Sequence, residues 1–326
     1  MRKLTYSQAI VDAVDNAMGL DNKVILMGQL VDYKGAIFKT TTGLVEKYGH
    51  QRVMDFPNAE SVMTAVAIGS AVTGMRPIIV HPRIDFMMYS LDAIVNWMSL
   101  WRFKSNGHCH LPVTIRAIVG KGWGQGPQHS KSMHSWFAHL PGLRVAMPAT
   151  AYDLKGLLLE NIFGENPGII IESRCLFGME DHVPEQPYRV RFGEACVRKE
   201  GRDITCVAIG MMVPAVLKAA EKLEKENISV EVIDPRTIAP LDKDTIRRSV
   251  VKTGRLIVAD PDWIYCGIAS EIIAFICEEM GTKLKAAPGR ICFPQSHTPM
   301  SYVLENQYYP DEASIIERIK GILSIR

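Results

Sequence analysis

The sequence predicts a protein of the α/β class, with two domains that each hold a parallel sheet between layers of helices. Short apolar runs, typical of strands buried on both faces, alternate with longer segments of helical periodicity. The alternation stops between residues 177 and 202 and then starts again. We therefore predict two doubly wound domains, at residues 1–180 and 201–326, joined by a linker over residues 181–200.

The first half of the chain contains three segments of helical character. A helix is expected from Ser7, as its N-cap, to Met18, because apolar residues recur there at helical spacing. A more apolar helix is expected over residues 61–73, followed by Gly74, the residue type preferred just after a helix. A third, rich in Met, Trp and Leu, is expected over residues 87–103. Buried strands are predicted at residues 24–27, 77–80, 113–119, 144–147 and 168–172.

The second half repeats the alternation after the break. In the break, Pro184, Pro187 and the charged run at residues 198–202 favour a linker or a crossing segment. Strands are then predicted at residues 204–209, 230–233 and 256–259, and helices at residues 213–226, 242–251 and 269–280.

Composition excludes several classes of protein. The formal net charge is +2, without a basic stripe, which argues against binding to nucleic acid. No run approaches the roughly 20 apolar residues that cross a bilayer, and the N-terminus has no apolar signal core. The seven cysteines are dispersed without a C-x-x-C pair, as in reduced proteins. We expect a cytoplasmic protein that binds neither membrane nor nucleic acid.

One candidate for chemistry is Glu60, the first residue of the most apolar predicted helix. A carboxylate at this position is stabilised by the helix dipole, so it could be only a capping acid. The helix that it begins is expected to be buried on most sides, and a buried carboxylate needs a partner. Both interpretations remain open from these residues alone.

Two further candidates follow predicted strands. His129 comes after the glycine-rich run at residues 120–126, at the end of a strand where α/β sheets place ligands. The run matches neither common nucleotide-binding glycine motif, and His129 could equally be a surface residue. The second segment, residues 81–86, contains Phe86, which could simply belong to the core. His134 and His139 fit a helix and its end, so we interpret them as structural. Cys109, between two histidines, fits a polar turn better than a metal site, and no metal site is predicted.

Taken in order along the chain, these motifs resemble a known family. Residues 57–60 before an apolar helix, the glycine-rich loop ending at Gln128-His-Ser130, and the run at residues 233–238 are similar to the beta subunits of pyruvate, branched-chain and acetoin dehydrogenase decarboxylating components. The similarity continues to residues 299–305 and so covers nearly the whole chain. It implies a thiamin pyrimidine-binding domain followed by a transketolase-type C-terminal domain.

The resemblance implies roles for individual residues. Glu60 matches the carboxylate that hydrogen-bonds a pyrimidine nitrogen of thiamin diphosphate and so promotes its activation. Phe86 matches the aromatic ring that stacks on the pyrimidine, and Asn58 and Tyr89 lie in the same cofactor-binding segments. His129 matches the histidine that binds the 2-oxo acid and assists acyl transfer.

The diphosphate half of such a site is missing from this sequence. The family holds diphosphate through magnesium with a Gly-Asp-Gly run and later paired asparagines, and neither occurs here. The resemblance therefore implies an alpha-type partner that carries the magnesium site, a two-plus-two heterotetramer with a second beta chain, and a lipoyl transacylase as acyl acceptor.

Some residues depart from the family pattern. Gln29-Leu30 replaces acidic residues, Tyr89 stands where glutamine is common, and Gly164 stands where a potassium-binding aspartate is common, so potassium is not predicted. His81 and Arg83 add positive character to a stretch that is usually neutral. These two residues favour slightly an alternative function, a two-chain thiamin-dependent transferase whose acyl acceptor is not lipoyl. A scaffold that has lost its chemistry and a nicotinamide-dependent dehydrogenase are the remaining alternatives, and the latter lacks the expected glycine fingerprint.

Overall fold

The computed structural model describes residues 1–33, 35, 37–121 and 124–324. It divides into two compact units. The first unit comprises Met1–Lys121 and Trp136–Phe192, and the second comprises Gly122–Ser135 and Gly193–Arg326. The glycine-rich loop thus belongs to the second unit, although the sequence analysis placed it inside the first domain. The division into independent domains at residues 180 and 200 remains a prediction.

The first unit contains eight strands and most of the shorter helices among its described residues. They are β1 Arg2–Thr5, α1 Tyr6–Leu20, β2 Val24–Gly28, α2 Leu44–Tyr48, β3 Val53–Asp55, α3 Glu60–Val72, β4 Arg76–His81, α4 Ile84–Met87, a 3₁₀ turn Met88–Ser90, a π-helix Ala93–Met98, α5 Trp101–Lys104, β5 Thr114–Val119, α6 His134–Ala138 (which begins in the second unit), β6 Arg144–Ala146, α7 Ala151–Ile162, β7 Gly168–Ser173, a 3₁₀ turn Arg174–Leu176 and β8 Glu180–Val183.

The large sheet of this unit is parallel, and its strands run in the order β6-β7-β5-β4-β2-β3. The central strands β2, β4, β5 and β7 are buried almost throughout, as the continuous apolar runs predicted. Gly28 ends β2 next to Val80, and a Cβ at Gly28 would lie 2.8 Å from the Val80 carbonyl oxygen. Only glycine therefore permits this close approach of β2 to β4.

A charged pair lies inside this sheet. Arg116 on β5 donates two hydrogen bonds to the Glu172 carboxylate on β7, at 2.5 Å and 2.9 Å, and both side chains are fully buried. The pairing explains how two charged residues can occupy otherwise apolar strands, since each satisfies the charge of the other.

The second unit contains a mixed sheet with helices. Its elements are β9 Cys196–Lys199, β10 Ile204–Ala208, α8 Met212–Glu224, β11 Val230–Asp234, β12 Thr237–Ala239, α9 Lys243–Thr253, β13 Leu256–Trp263, α10 Ile268–Met280, a 3₁₀ turn Gly281–Lys283, β14 Gly289–Phe293, α11 Tyr302–Tyr308 and α12 Glu312–Ser324. Five strands form the sheet β14-β13-β10-β11-β9, parallel except for β9. The predicted α/β class with parallel sheets is confirmed, whereas α11, α12 and β14 had no counterpart in the sequence analysis.

Two helix predictions need correction. The N-cap of α1 is Thr5 and not Ser7: the Thr5 hydroxyl accepts from the Gln8 N–H, and the Gln8 side chain accepts from the Thr5 N–H. The helix predicted over residues 87–103 is broken into short α, 3₁₀ and π segments. At the break, the Ser99 N–H donates to the Ile94 carbonyl in a π-type turn, and Gly142 packs against the Ser99 carbonyl.

The predicted linker also contains regular structure. β8 pairs antiparallel with β1, with Arg2 opposite Val183. The charged run that suggested a linker is partly β9, an edge strand in which Arg198 forms an ion pair with Asp234 at 2.7 Å. Charged residues are common on edge strands, so the charge did not distinguish a strand from a linker. Among the helices of the described residues, none has both the length and the apolar character needed to cross a bilayer.

Candidate functional site

Glu60 is the first residue of α3, after a tight turn in which the Ala59 N–H donates to the Pro57 carbonyl. Its side chain is half-buried, less than the sequence analysis expected. Its carboxylate has no hydrogen-bond or ion-pair partner among the described residues. The helix dipole favours a negative charge here, so the carboxylate is available to accept a hydrogen bond from a ligand.

The remaining cofactor candidates of the first unit lie in two segments. Phe86 is half-buried in α4, and Tyr89, in the next turn, is 72% exposed. The Thr64 hydroxyl, one turn after Glu60, donates to the Ser90 hydroxyl at 2.9 Å and so joins α3 to the segment that contains Tyr89. Asn58 is exposed in the turn before α3. This hydrogen bond holds the start of α3 next to the segment that contains Tyr89.

The sequence analysis expected α3 to be buried on most sides, and this expectation is wrong. Three valines on one face of the helix are about half exposed: Val62, Val66 and Val72. Val62, Val72 and the half-exposed Trp97 line an apolar groove of about 530 Å³. Apolar surface of this kind marks protein–protein contacts more often than free surface, so it is a candidate interface.

His129 belongs to the second unit, in the described part of the glycine-rich loop. The Gly124 N–H donates to the buried Glu305 carboxylate at 2.9 Å. Gly124 and Gly126 have φ of +64° and +69°, and a Cβ at Gly126 would lie 2.5 Å from the Met300 side chain. These glycines allow the loop to pass close to residues 300–305 and present His129 half-buried.

The same loop ends at His134, which is fully buried and close to two aspartates. Its Nε2 lies 2.8 Å from Asp260 and 3.6 Å from Asp262. Burial disfavours protonation, but the charges of Asp262 and Asp260 outweigh it and raise the pKa of His134. Within the described residues this is the one His, Cys, Asp and Glu group spaced closely enough for a metal ion. The direct hydrogen bond and the raised pKa identify it as an ion pair, so His134 stabilises the structure.

Sequence reasoning missed a polar cluster at the carboxyl end of the first sheet. It noted His81 and Arg83 but assigned them no contacts, and it did not consider Arg174. The guanidinium groups of Arg83 and Arg174 both lie over the ring of Phe38, at 4.8 Å and 3.7 Å from its centre. Only their shared position after parallel strands of one sheet could have signalled this contact, because Arg83 and Arg174 are far apart in sequence.

Comparison with known families gives two matches that together span most of the chain. Residues 2–179 match the pyrimidine binding domain of transketolase, and residues 193–315 match the transketolase C-terminal domain.

Individual relatives are similar over almost their full length. The chain is 40% identical to the acetoin:2,6-dichlorophenolindophenol oxidoreductase subunit beta of Cupriavidus necator, with 96% of each chain covered. It is 37% identical to the pyruvate dehydrogenase E1 component subunit beta of Staphylococcus epidermidis, with 99% of each covered. A solved structure described as a split gene transketolase, inactive beta4 tetramer, matches with a TM-score of 0.74 and 22% identity over 98% of this chain and 97% of that one. At this identity the structural match shows the fold alone.

Proposed function

The chain belongs to the family of pyruvate and acetoin dehydrogenase beta subunits, and we propose that with an alpha-type partner it decarboxylates a 2-oxo acid using thiamin diphosphate. In this proposal the acyl group then passes to a lipoyl carrier. Thiamin diphosphate, when bound, supplies the carbon nucleophile that a 2-oxo acid needs in order to lose carbon dioxide.

The observation that carries this proposal is the Glu60 carboxylate. It begins α3 and is half-buried without a partner among the described residues. A protonated pyrimidine nitrogen can donate a hydrogen bond to this carboxylate, and the ring offers a flat face to an aromatic neighbour. Phe86 and Tyr89 lie in the segment bonded to α3. These residues fit the pyrimidine half of thiamin diphosphate. We assign Glu60 to binding the ring nitrogen, and Phe86, with Tyr89 and Asn58, to positioning the ring.

The diphosphate half is assigned to the partner chain. The described residues contain one candidate group of metal ligands, and it is occupied by the His134 ion pair. The apolar face of α3, with Val62, Val66 and Trp97, provides a surface for a partner directly beside Glu60. We therefore propose an alpha-type subunit that holds magnesium and diphosphate, and a two-plus-two heterotetramer with a second beta chain.

His129 is assigned to the 2-oxo acid and to acyl transfer. It lies in a loop that close glycine contacts hold against residues 300–305, so its position does not depend on its own side chain. The lipoyl transacylase is the proposed acceptor. An acceptor other than lipoyl is the second candidate, favoured by the cationic residues Arg83 and Arg174.

The test is decarboxylation of a panel of 2-oxo acids with thiamin diphosphate, magnesium and an artificial electron acceptor. This chain alone is compared with the chain plus an alpha-type subunit. We expect activity in the pair only, and at least about a 100-fold loss on Glu60→Gln. The matched control is Glu46→Gln, another acid in the first turn of a helix of the same unit, and it should retain full activity.

A partner-contact variant tests the assembly separately. Val66→Asp places a charge on the exposed face of α3, and we expect it to prevent assembly of the pair while the chain itself stays folded. Sedimentation and circular dichroism measure the two properties. Undiminished activity of Glu60→Gln in a well-assembled pair would contradict the proposed mechanism. A lipoyl-bearing acceptor that takes up no acyl group would favour the second candidate.

A further inference from the structure

The carboxyl end of the first sheet has the topology of a ligand-binding crevice. In the order β6-β7-β5-β4-β2-β3, the chain leaves β2 towards β3 on one side, and it leaves β4 towards β5 on the other. In parallel sheets ligands bind where neighbouring strands diverge in this way. Here the crevice lies between β2 and β4, where Gly28, the last residue of β2, is opposite Val80. Gln29 follows Gly28, and His81, the last residue of β4, follows Val80.

These two residues are buried polar groups without partners. His81 is fully buried, and neither ring nitrogen has a hydrogen-bond partner among the described residues. Gln29 is 7% exposed, and its side-chain oxygen and nitrogen are likewise without one. Burial lowers the pKa of His81 to about 3, so the ring is neutral and offers one donor and one acceptor. Buried polar groups are rarely left unsatisfied, so two of them at neighbouring strand ends indicate a ligand.

Two arginines that follow strands at the same edge of the sheet lie close to each other. Arg83 follows β4 and is 7% exposed, and Arg174 follows β7. Because both guanidinium groups lie over the Phe38 ring, their central carbons are at most about 8.5 Å apart, the sum of their two distances. Burial and then the charge of Arg83 lower the pKa of Arg174 to about 10. The negative charge of Asp85 acts in the opposite direction on Arg83, whose pKa burial lowers.

We propose that Arg83, Arg174, His81 and Gln29 form a binding site for the oxyanion group of a small molecule, a carboxylate or a phosphate. The planar guanidinium fork matches the geometry of either group. A bound anion accepts hydrogen bonds from the guanidinium groups, and it also gives the buried donors of His81 and Gln29 an acceptor. As the site lies at the same sheet edge as Glu60, the substrate is a 2-oxo acid with a second anionic group, an assignment that rests on the proposed function.

Binding is tested first on the full chain, without any catalytic assay. Its unfolding midpoint is measured against inorganic phosphate and against malonate, with sodium chloride at matched ionic strength as the reference. We expect a saturable rise in midpoint with at least one of the two anions. The anion that binds more tightly identifies the group as phosphate or carboxylate.

Variants then locate the site. Arg83→Gln and Arg174→Gln should each weaken anion binding at least about tenfold, since each removes a charged hydrogen-bond donor. Arg174→Lys keeps the charge without the fork and should be intermediate, which distinguishes recognition from misfolding. The matched control is Arg144→Gln, a half-buried arginine of the same unit over the ring of Phe192, and its anion affinity should not change.

Catalysis by the assembled pair tests the substrate assignment. Two substrates are compared, the dicarboxylate 2-oxoglutarate and the monocarboxylate 2-oxobutyrate. We expect the dicarboxylate to show the lower KM, and Arg174→Gln to raise the KM selectively for the dicarboxylate. Equal KM values for both acids would overturn the assignment to substrate.

The anion site itself has separate outcomes. An unfolding midpoint that rises no more with phosphate or malonate than with chloride would overturn the anion site. An equal rise in the wild type and in the double variant Arg83→Gln, Arg174→Gln would overturn it as well. Arginine-dependent anion binding by a pair that decarboxylates nothing would support the anion site while the proposed function fails.

Discussion

Replacement of His134 by glutamine tests the ion pair that holds the end of the glycine-rich loop. His134 lies between Asp260 and Asp262, is fully buried, and hydrogen-bonds Asp260 at 2.8 Å. Glutamine can donate one hydrogen bond in its place, but it carries no charge. The substitution therefore leaves two buried carboxylates close together without a cation.

The expected loss follows from the contacts that remain. Removing one partner of a buried ion pair costs about 3–5 kcal/mol. Asp260 keeps a hydrogen bond from the Ala269 N–H at 3.0 Å, and Asp262 keeps one from the Ser135 hydroxyl at 2.6 Å. The loss should therefore lie near the lower limit, about 3 kcal/mol, which corresponds to a decrease of about 6–12 °C in the unfolding midpoint.

The pair also predicts how stability depends on pH. The pKa of His134 is raised in the folded protein above its ordinary value of 6.5 by the charges of Asp262 and Asp260, which outweigh burial. The stabilisation is thus complete below pH 6.5 and is lost as the pH rises through the folded pKa. The pKa of Asp262 is also raised, chiefly by burial, so this carboxyl group too stabilises the folded protein less as the pH rises. The free energy of unfolding of the wild type should therefore fall above pH 6.5, more steeply than that of His134→Gln.

Urea denaturation followed by circular dichroism at pH 6, 7, 8 and 9 measures both effects. His139→Gln is the matched control, because His139 is exposed five residues further along, and its substitution should change the free energy of unfolding by less than about 0.5 kcal/mol. A loss below about 1 kcal/mol for His134→Gln, or the same pH dependence in wild type and variant, would refute the reasoning.

Two further predictions concern stability of the first unit. Arg116→Met leaves Glu172 buried without its cation and should cost about 3–5 kcal/mol, whereas Arg116→Met with Glu172→Leu should recover most of the loss; calorimetry measures both, and a double variant as unstable as the single one would contradict the interpretation. Thr5→Ala removes the N-cap of α1 and should cost about 1 kcal/mol in urea denaturation, more than Ser7→Ala does; the reverse order would restore Ser7 as the cap.

Local patterns predicted most elements, and their failures have physical causes. The apolar runs of β2, β5 and β10 and the glycine after α3 are signals within a few residues, so they could be read directly. The helix predicted over residues 87–103 is broken where Gly142, about 40 residues away, packs against Ser99, a contact that local periodicity does not show. The strands β8 and β9 within the predicted linker were not expected, because they form by pairing with β1 and β11 and lack apolar character of their own.

In the candidate site, too, the sequence predicted some features and missed others. Glu60, Phe86 and His129 stand in short motifs at the ends of strands and the start of a helix, so their positions could be predicted, although their roles stay proposals. The exposure of α3 could not be predicted, because an apolar helix has the same sequence character whether its own chain or a partner chain covers it.

The sequence by itself determined the α/β class, the order of the apolar strands and the motifs that carry the family resemblance, because periodicity, capping and glycine preferences act over a few residues. The tertiary structure alone decided which charges meet. Arg116 finds Glu172, His134 finds Asp260, and Arg83 shares the ring of Phe38 with Arg174. These contacts join residues that are far apart in the chain, so only the folded structure brings them together. The buried ion pairs stabilise the fold, and the buried side chains of His81 and Gln29 at the sheet edge, unsatisfied among the described residues, indicate a ligand.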